Sequence, residues 1–235
     1  MLILVSGEGV TDIGRCVVSD QCSGREFEAG PMAWLVDQLV EIRAGYPFLS
    51  ADLMVFASKS RVSEVSKSLK PLTLVGRKRK QETAYFFRNA RAMARLAQEL
   101  AKETDDEVVA VLFRDADRTR SSERGAWQDK WDSMVKGFAY EGFGSGVPML
   151  PNPKSEAWLL CALKKSQPYR DCDRIEAESG NDAAPNSLKA QLEQVLGQAS
   201  DAAILVDLVC AGKVDANRIE MPSFNRFKKR LQECL

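Results

Sequence analysis

Apolar and polar positions alternate along the chain in a way that predicts strands and helices in turn. Short continuous apolar runs at residues 2–5 and 108–113 are typical of parallel strands covered on both faces. Residues 81–103 carry apolar side chains every three or four positions, which predicts an amphipathic helix. The same two patterns predict strands at residues 53–57, 72–75 and 147–150, and helices at residues 31–43, 122–138 and 154–164. Alternation of this kind predicts an α/β fold with a parallel sheet flanked by helices.

The last third of the chain has a different pattern. Residues 171–186 are rich in Asp, Ser, Gly and Asn, which predicts a polar linker. Helical spacing of apolar residues follows at residues 187–196, 201–211 and 223–235. We therefore predict an α/β domain over residues 1–165 and a helical C-terminal appendage, packed on it, over residues 166–235.

Composition excludes several classes of chemistry. The 235 residues contain no histidine, which rules out a Ser-His or Cys-His pair, an HNH-type nuclease site and a histidine-ligated zinc. Lys and Arg together number 33, as do Asp and Glu, so any basic surface must be local. Carboxylates, lysines and a bound metal remain as the means of catalysis.

Cysteine usage and the N-terminus bear on localisation. The six cysteines show neither a Cys-x-x-Cys pair nor a dense framework, which is typical of a reduced compartment. The N-terminal apolar run is too short for a signal peptide or a membrane span. These features predict a cytoplasmic protein without membrane contact, with reduced cysteines and without a structural zinc.

Two acidic segments follow predicted strands. Residues 8–12 (Glu-Gly-Val-Thr-Asp) come after the first apolar run, and residues 115–117 (Asp-Ala-Asp) come after the run at 108–113. Open α/β sheets place ligands at the carboxyl ends of their strands, so the two segments are expected to face each other across neighbouring strands. Gathered carboxylates repel one another unless they share a cation, and oxygen ligands suit Mg²⁺ or Mn²⁺. The pattern predicts phosphoryl transfer by metal-activated water, with a further carboxylate managing the proton.

These motifs resemble those of the Toprim domain of topoisomerases, bacterial primases and OLD-family nucleases, over about residues 1–150. The resemblance implies a Toprim, Rossmann-like sheet in which Glu8 serves in acid-base catalysis or metal binding. It also implies that Asp115 and Asp117 hold Mg²⁺. Residues 151–160 resemble the Glu-Ala-Trp-Leu-Leu signature of small OLD-like Toprim proteins, which implies Glu156 as a further metal ligand.

Small Toprim proteins of this kind are often encoded beside an ATPase in bacterial anti-phage systems. The resemblance therefore implies a metal-dependent nuclease for DNA or RNA, tRNA included, that acts as a defence effector with an ATPase partner. The sequence does not determine the oligomeric state, and a homo-oligomer is one of the possibilities.

The densest basic region precedes and follows the start of the helix at residues 81–103. It comprises Arg77, Lys78, Arg79 and Lys80, together with Arg88, Arg91 and Arg95 on the polar helix face. A local basic face binds nucleic-acid phosphates with release of counterions. The alternative is a solvated helix face with Glu82 and Glu99 as ion-pair partners.

The acidic motifs also have structural interpretations. Glu8 can cap the next helix, since its segment Glu-Gly-Val-Thr-Asp is also typical of a helix start. Asp115 and Asp117 can lie in a solvated turn paired with Arg114 and Arg118. Under these interpretations neither motif forms a functional site.

Two other functions remain open. Residues 115–119 fit the Asp-x-Asp-x-Thr pattern of haloacid-dehalogenase-like phosphatases, in which the first aspartate, here Asp115, is the nucleophile. That family usually carries the motif on its first strand, whereas here it falls near the middle of the chain. The third possibility is a non-catalytic binding or regulatory subunit that keeps the Toprim fold, with which the basic sequence of residues 118–120 is compatible.

Overall fold

The structure is a computed structural model that describes residues 1–70, 81–116, 125–163 and 172–235. Within these ranges the chain forms seven strands and nine α-helices. The strands are β1 (Leu2–Ser6), β2 (Gly14–Cys16), β3 (Gln21–Ser23), β4 (Phe27–Ala29), β5 (Met54–Ala57), β6 (Val108–Phe113) and β7 (Gly146–Met149). The helices are α1 (Pro31–Ala44), α2 (Lys59–Ser68), α3 (Gln81–Thr104), α4 (Gly125–Tyr140), α5 (Ser155–Leu163), α6 (Cys172–Ile175), α7 (Leu188–Leu196), α8 (Ala202–Cys210) and α9 (Pro222–Cys234). The strand predicted at residues 72–75 lies outside the described residues.

Five of the strands form one sheet, in the order β3-β5-β1-β6-β7. β1 pairs in parallel with both β5 and β6, and β6 pairs in parallel with β7. β3 is the antiparallel strand at one edge, and β2 and β4 form a separate antiparallel pair. The predicted α/β fold, with a mostly parallel sheet flanked by helices, is confirmed.

The apolar runs form strands because they are covered on both faces. All six residues of β6 and four of the five residues of β1 are buried, which is the position of central strands in a layered α/β protein. α3 packs against β6 and α4 and buries its apolar stripe there, with Ala90, Met93 and Ala97 fully inaccessible. Among the described residues no helix is both long and apolar enough to cross a membrane.

The region between β1 and α1 contains three strands that the sequence did not predict. β2, β3 and β4 have three residues each, which is too short for a periodic pattern to be detected. Gly14 permits the close packing of this region, since its φ is +109° and an added Cβ would lie 2.2 Å from the carbonyl oxygen of Glu28.

The C-terminal helices contact the rest of the protein through aromatic side chains. Trp158 of α5 lies 4.9 Å from Phe224 and 5.8 Å from Phe227, measured between ring centroids, and all three side chains are inaccessible to solvent. The indole Nε1 of Trp158 also donates a hydrogen bond to Ser223 Oγ, at 2.9 Å. The stretch predicted as a linker contains the short helix α6.

A single glutamine of α1 also binds the end of α8 and the segment that follows it. The side-chain amide of Gln38 donates to the carbonyl oxygens of Val209, at 3.2 Å, and Val214, at 3.1 Å. Its Oε1 accepts a hydrogen bond from the backbone N–H of Ala216, at 2.9 Å. Both amide protons and the carbonyl oxygen of Gln38 are therefore used in this contact.

Four of the six cysteines are paired, so the prediction of reduced cysteines is wrong for these four as the structure has them. Cys16 is bonded to Cys22, and Cys161 is bonded to Cys172. The Cα atoms of the two pairs are 5.8 Å and 5.6 Å apart, a separation that a disulfide can span. The pairs were missed because the positions of elements in the fold bring the cysteines together, not sequence spacing. Cys16 on β2 lies next to Cys22 on β3, and Cys161 on α5 lies next to Cys172 on α6.

Candidate functional site

The two acidic segments leave the sheet at the same end. β1 and β6 are adjacent and parallel, with Ser6 opposite Leu112, so residues 7–13 (the first acidic loop) and residues 114–116 (the second acidic loop) begin side by side. β7 lies on the other side of β6 and leads to α5, whose second residue is Glu156. The two acidic segments are therefore adjacent, as predicted, as far as residues 115 and 116 of the second segment; residue 117 lies outside the described residues.

The first acidic loop is a compact turn. The backbone N–H groups of Asp12 and Ile13 both donate to the carbonyl oxygen of Gly9, at 3.2 Å. The chain then enters β2, so the interpretation of Glu8 as a helix cap is wrong. Glycine is required at Gly7, where an added Cβ would lie 2.5 Å from Ile13 Cγ2. At Gly9 an added Cβ would lie 2.3 Å from Asp12 Oδ2 and would displace that carboxylate.

Ser155, the first residue of α5, joins the two acidic loops. Its hydroxyl donates to Asp12 Oδ1 at 2.7 Å, and its backbone N–H donates to Asp115 Oδ1 at 3.1 Å. Ser155 is only 4% exposed. The side chain next to it, Glu156, is accordingly held beside both loops at the start of α5.

Burial controls the electrostatics of this acidic cluster. The pKa of Asp12 is raised, chiefly because the carboxyl is buried, and the charge of Glu8 adds to the effect while hydrogen bonds from Ser155 and Thr11 oppose it. The pKa of Glu156 is also raised by burial, with the charge of Asp12 contributing. A cluster with raised pKa values gains free energy by taking up a proton or a cation.

A buried cation lies beneath Glu8. The guanidinium of Arg114 is inaccessible to solvent and donates to the carbonyl oxygen of Phe113, at 2.6 Å, and to Asn89 Oδ1, at 3.2 Å. Burial lowers the pKa of Arg114, whereas its neighbours Tyr85 and Glu8 oppose that effect. Arg114 therefore does not lie in a solvated turn, as the structural interpretation of the second acidic segment required.

Glu8 itself is held by two neighbours. The hydroxyl of Tyr85 donates to Glu8 Oε2 at 3.3 Å, and Lys59 Nζ lies 4.0 Å from the same oxygen. The Glu8 side chain is 26% exposed, so it faces solvent from a fixed position. A groove of about 470 Å³ opens beside the first acidic loop, lined there by Val10 and Thr11.

The predicted metal ligands are brought together only in part. Glu8, Asp115 and Glu156 lie around the same strand ends, whereas Asp117 lies outside the described residues. Oxygen donors of this type fit Mg²⁺ or Mn²⁺. Across residues 1–70, 81–116, 125–163 and 172–235, however, the side chains as placed form no group of three or more acidic or cysteine ligands around one point.

The predicted basic surface divides into three parts. Residues 77–80 (Arg77, Lys78, Arg79, Lys80) lie outside the described residues, and Arg88 is exposed. Arg91 is 6% exposed and its Nε lies 2.5 Å from Glu141 Oε1, while Arg95 Nε lies 2.6 Å from Glu141 Oε2. The guanidinium of Arg91 is therefore committed to a buried ion pair, and its partner is Glu141 instead of the predicted Glu82 or Glu99.

Three functional neighbours were missed from the sequence. Tyr85 and Asn89 are four residues apart on α3. The available signal was the polar Asn89 beside the predicted apolar face of the helix, and the structure buries it, at 6% exposure. Ser155 had no comparable signal, because its partners are 143 and 40 residues away in the chain.

In comparison with known proteins, no family model, no curated protein and no solved structure matches the chain.

Proposed function

We propose that the protein is a Toprim-type, metal-dependent nuclease that hydrolyses phosphodiester bonds of DNA or RNA. The observation that supports this proposal is the position of the acidic loops, side by side at the carboxyl ends of β1 and β6. Ser155 ties both loops to α5 and so to Glu156. Ligands of open α/β sheets bind at this end of the strands.

Each side chain has a role that follows from its surroundings. Asp115 and Glu156, with Asp117, would hold Mg²⁺ or Mn²⁺, which lowers the pKa of bound water and polarises the phosphate. Glu8 would accept the proton of the attacking water, because its carboxylate is held by Tyr85 and Lys59 and remains open to solvent. The water oxygen bonds to phosphorus, the bond to the leaving sugar oxygen breaks, and that oxygen takes a proton from solvent.

The wider setting belongs to the same proposal. The resemblance to small OLD-like Toprim proteins supports a cytoplasmic anti-phage effector that works with an ATPase and carries a helical C-terminal appendage, as a monomer or a homo-oligomer. Cleavage would then be checked both with the isolated chain and with the ATPase present.

The first test is cleavage of labelled duplex DNA, single-stranded DNA and tRNA in Mg²⁺ or Mn²⁺ and in chelator. We expect Glu8→Gln to lower the rate by about 100- to 10,000-fold, the range for loss of a general base. Asp115→Asn should also lose metal binding, measured by calorimetry without substrate. Asp129→Asn, an exposed aspartate of α4, is the matched control and should cleave at the wild-type rate.

Two outcomes would contradict the proposal. In the first, the wild-type protein leaves every substrate intact with either metal, with and without the ATPase, which would indicate a non-catalytic subunit. Alternatively, a fluoroberyllate adduct on Asp115 together with full activity of Glu8→Gln would identify a haloacid-dehalogenase-like phosphatase.

A further inference from the structure

Helix α2 begins at the same end of the sheet as the acidic loops. It follows β5, the parallel neighbour of β1, and Ser58 caps it by accepting a hydrogen bond from the N–H of Arg61, at 3.0 Å. Its first residue, Lys59, is the one that lies 4.0 Å from Glu8 Oε2. The axis of α2 therefore leads away from the candidate catalytic carboxylate.

The outer side of α2 is basic and rich in hydroxyl groups. Lys59 and Lys67 are exposed and Ser63 lies between them, at intervals of four residues that place all three on one side of a helix. A shallow groove of about 730 Å³ runs along this side, lined also by Ser60, Glu64 and Ser68. We call this surface the α2 face.

The charge of the α2 face is positive in spite of Glu64. Arg61 Nη1 lies 3.0 Å from Glu64 Oε2 and offsets its charge. Lys59, which lies 4.0 Å from Glu8 Oε2, and Lys67 supply the positive charge that is left along the groove. Arg91 of α3, in contrast, is buried against Glu141. Lys59 and Lys67 are therefore exposed cations on a helix that begins beside the first acidic loop.

The spacing of the two lysines suits a nucleic-acid strand. Eight helical residues separate Lys59 from Lys67, about 12 Å along the axis, which corresponds to roughly three to four nucleotides of a strand in duplex DNA. Serine hydroxyls between the lysines can donate hydrogen bonds to phosphate oxygens, as they do in many protein–DNA contacts.

We propose that the α2 face binds the sugar-phosphate backbone of the strand that is cut at Glu8 and Asp115. This inference rests on the proposed nuclease function and identifies where the substrate strand lies. Lys59 would contact the phosphate nearest to Glu8, and Lys67 would contact a phosphate farther from the site. The positive charge and the serine hydroxyls fit a phosphate backbone, which carries one charge per nucleotide.

The test is binding, measured in chelator so that no cleavage is needed. Fluorescence anisotropy of a labelled DNA duplex and of a labelled single strand is recorded over a range of salt concentrations, for the wild type and for Lys59→Gln/Lys67→Gln. Loss of two phosphate contacts should reduce the slope of log K against log salt by about 1.8 for duplex DNA, and about 1.4 for a single strand. At 0.1 M salt the affinity should fall by about tenfold or more.

A charge-matched variant separates this effect from the loss of any two lysines. Lys136→Gln/Lys189→Gln changes two exposed lysines of α4 and α7 and should bind with the wild-type slope and affinity. Lys67→Gln alone, which leaves the neighbour of Glu8 intact, should reduce the duplex slope by about 0.9.

The outcomes distinguish this inference from the proposed function. Unchanged binding by Lys59→Gln/Lys67→Gln, or an equal loss of affinity in the control variant, overturns the proposal that the α2 face binds DNA, even if the protein cleaves DNA. An acidic polyglutamate peptide that binds the face while DNA does not compete would assign it to an acidic protein instead. If the double variant loses binding and the wild-type protein shows no metal-dependent cleavage, the α2 face is a DNA-binding surface and the proposed nuclease function is overturned.

Discussion

Ser155→Ala removes the hydroxyl that joins α5 to the first acidic loop. The hydroxyl donates to Asp12 Oδ1 at 2.7 Å from a residue that is 4% exposed, and hydrogen bonds to charged groups contribute about 1.5–3 kcal/mol. We therefore expect a loss of about 2 kcal/mol in the free energy of unfolding at pH 7.5. For a chain of this size this corresponds to a fall in Tm of about 4–8 °C.

The loss should depend on pH with a definite sign. Burial raises the pKa of Asp12 above its ordinary value of 3.8, and the Ser155 hydrogen bond opposes that rise. The raised pKa favours the folded state below pH 3.8, and this contribution is lost as the pH rises through the folded-state pKa. Ser155→Ala raises the pKa of Asp12 further, so its cost should be largest where Asp12 is ionised and should shrink as the pH falls towards 3.8.

The assay is urea unfolding followed by tryptophan fluorescence, in chelator, at pH 7.5 and pH 4.5. Ser133→Ala, on α4 and partly exposed, is the control and should change stability by less than about 0.5 kcal/mol. A double-mutant cycle with Asp12→Asn should give a coupling energy of about 2 kcal/mol at pH 7.5. An equal loss at both pH values, or a coupling energy below about 0.5 kcal/mol, would refute the reasoning.

Two further variants test the surroundings of the site, both by urea unfolding. Glu141→Gln leaves the buried Arg91 without its carboxylate partner and should lower the free energy of unfolding by about 3–5 kcal/mol. Arg95→Gln removes a half-exposed partner of the same glutamate and should lower it by less than about 1 kcal/mol. Similar losses for the two variants would contradict the argument from burial. Gly7→Ala places a Cβ 2.5 Å from Ile13 Cγ2 and should cost about 1–3 kcal/mol, while Gly144→Ala, where an added Cβ meets nothing within 4 Å, should be nearly neutral.

The sequence predicted the elements whose pattern is long or continuous. The 24-residue α3 and the fully apolar β6 were found almost to the residue, because burial on one or both faces imposes a regular pattern. The three-residue strands β2, β3 and β4 impose none. Predicting that the acidic segments are neighbours required only the general rule for ligand position in α/β sheets.

The contacts within the site were less accessible to sequence reasoning. Tyr85 reaches Glu8 across 77 positions of the chain, and Ser155 reaches Asp12 across 143. Such contacts depend on the angles at which helices leave the sheet, and no local pattern records those angles. The buried ion pair of Arg91 was not predicted for the same reason, because its partner Glu141 lies 50 residues away, after the end of α4.

Gln38 gives the C-terminal segment a unique register on α1. A primary amide that donates two hydrogen bonds and accepts one is satisfied in only one alignment, because each backbone group must meet its own amide atom. The three backbone groups it binds, at Val209, Val214 and Ala216, lie on both sides of the turn after α8. In this contact Gln38 acts as a peptide group supplied from elsewhere in the chain, and it fixes the path of a turn that α8 alone does not determine.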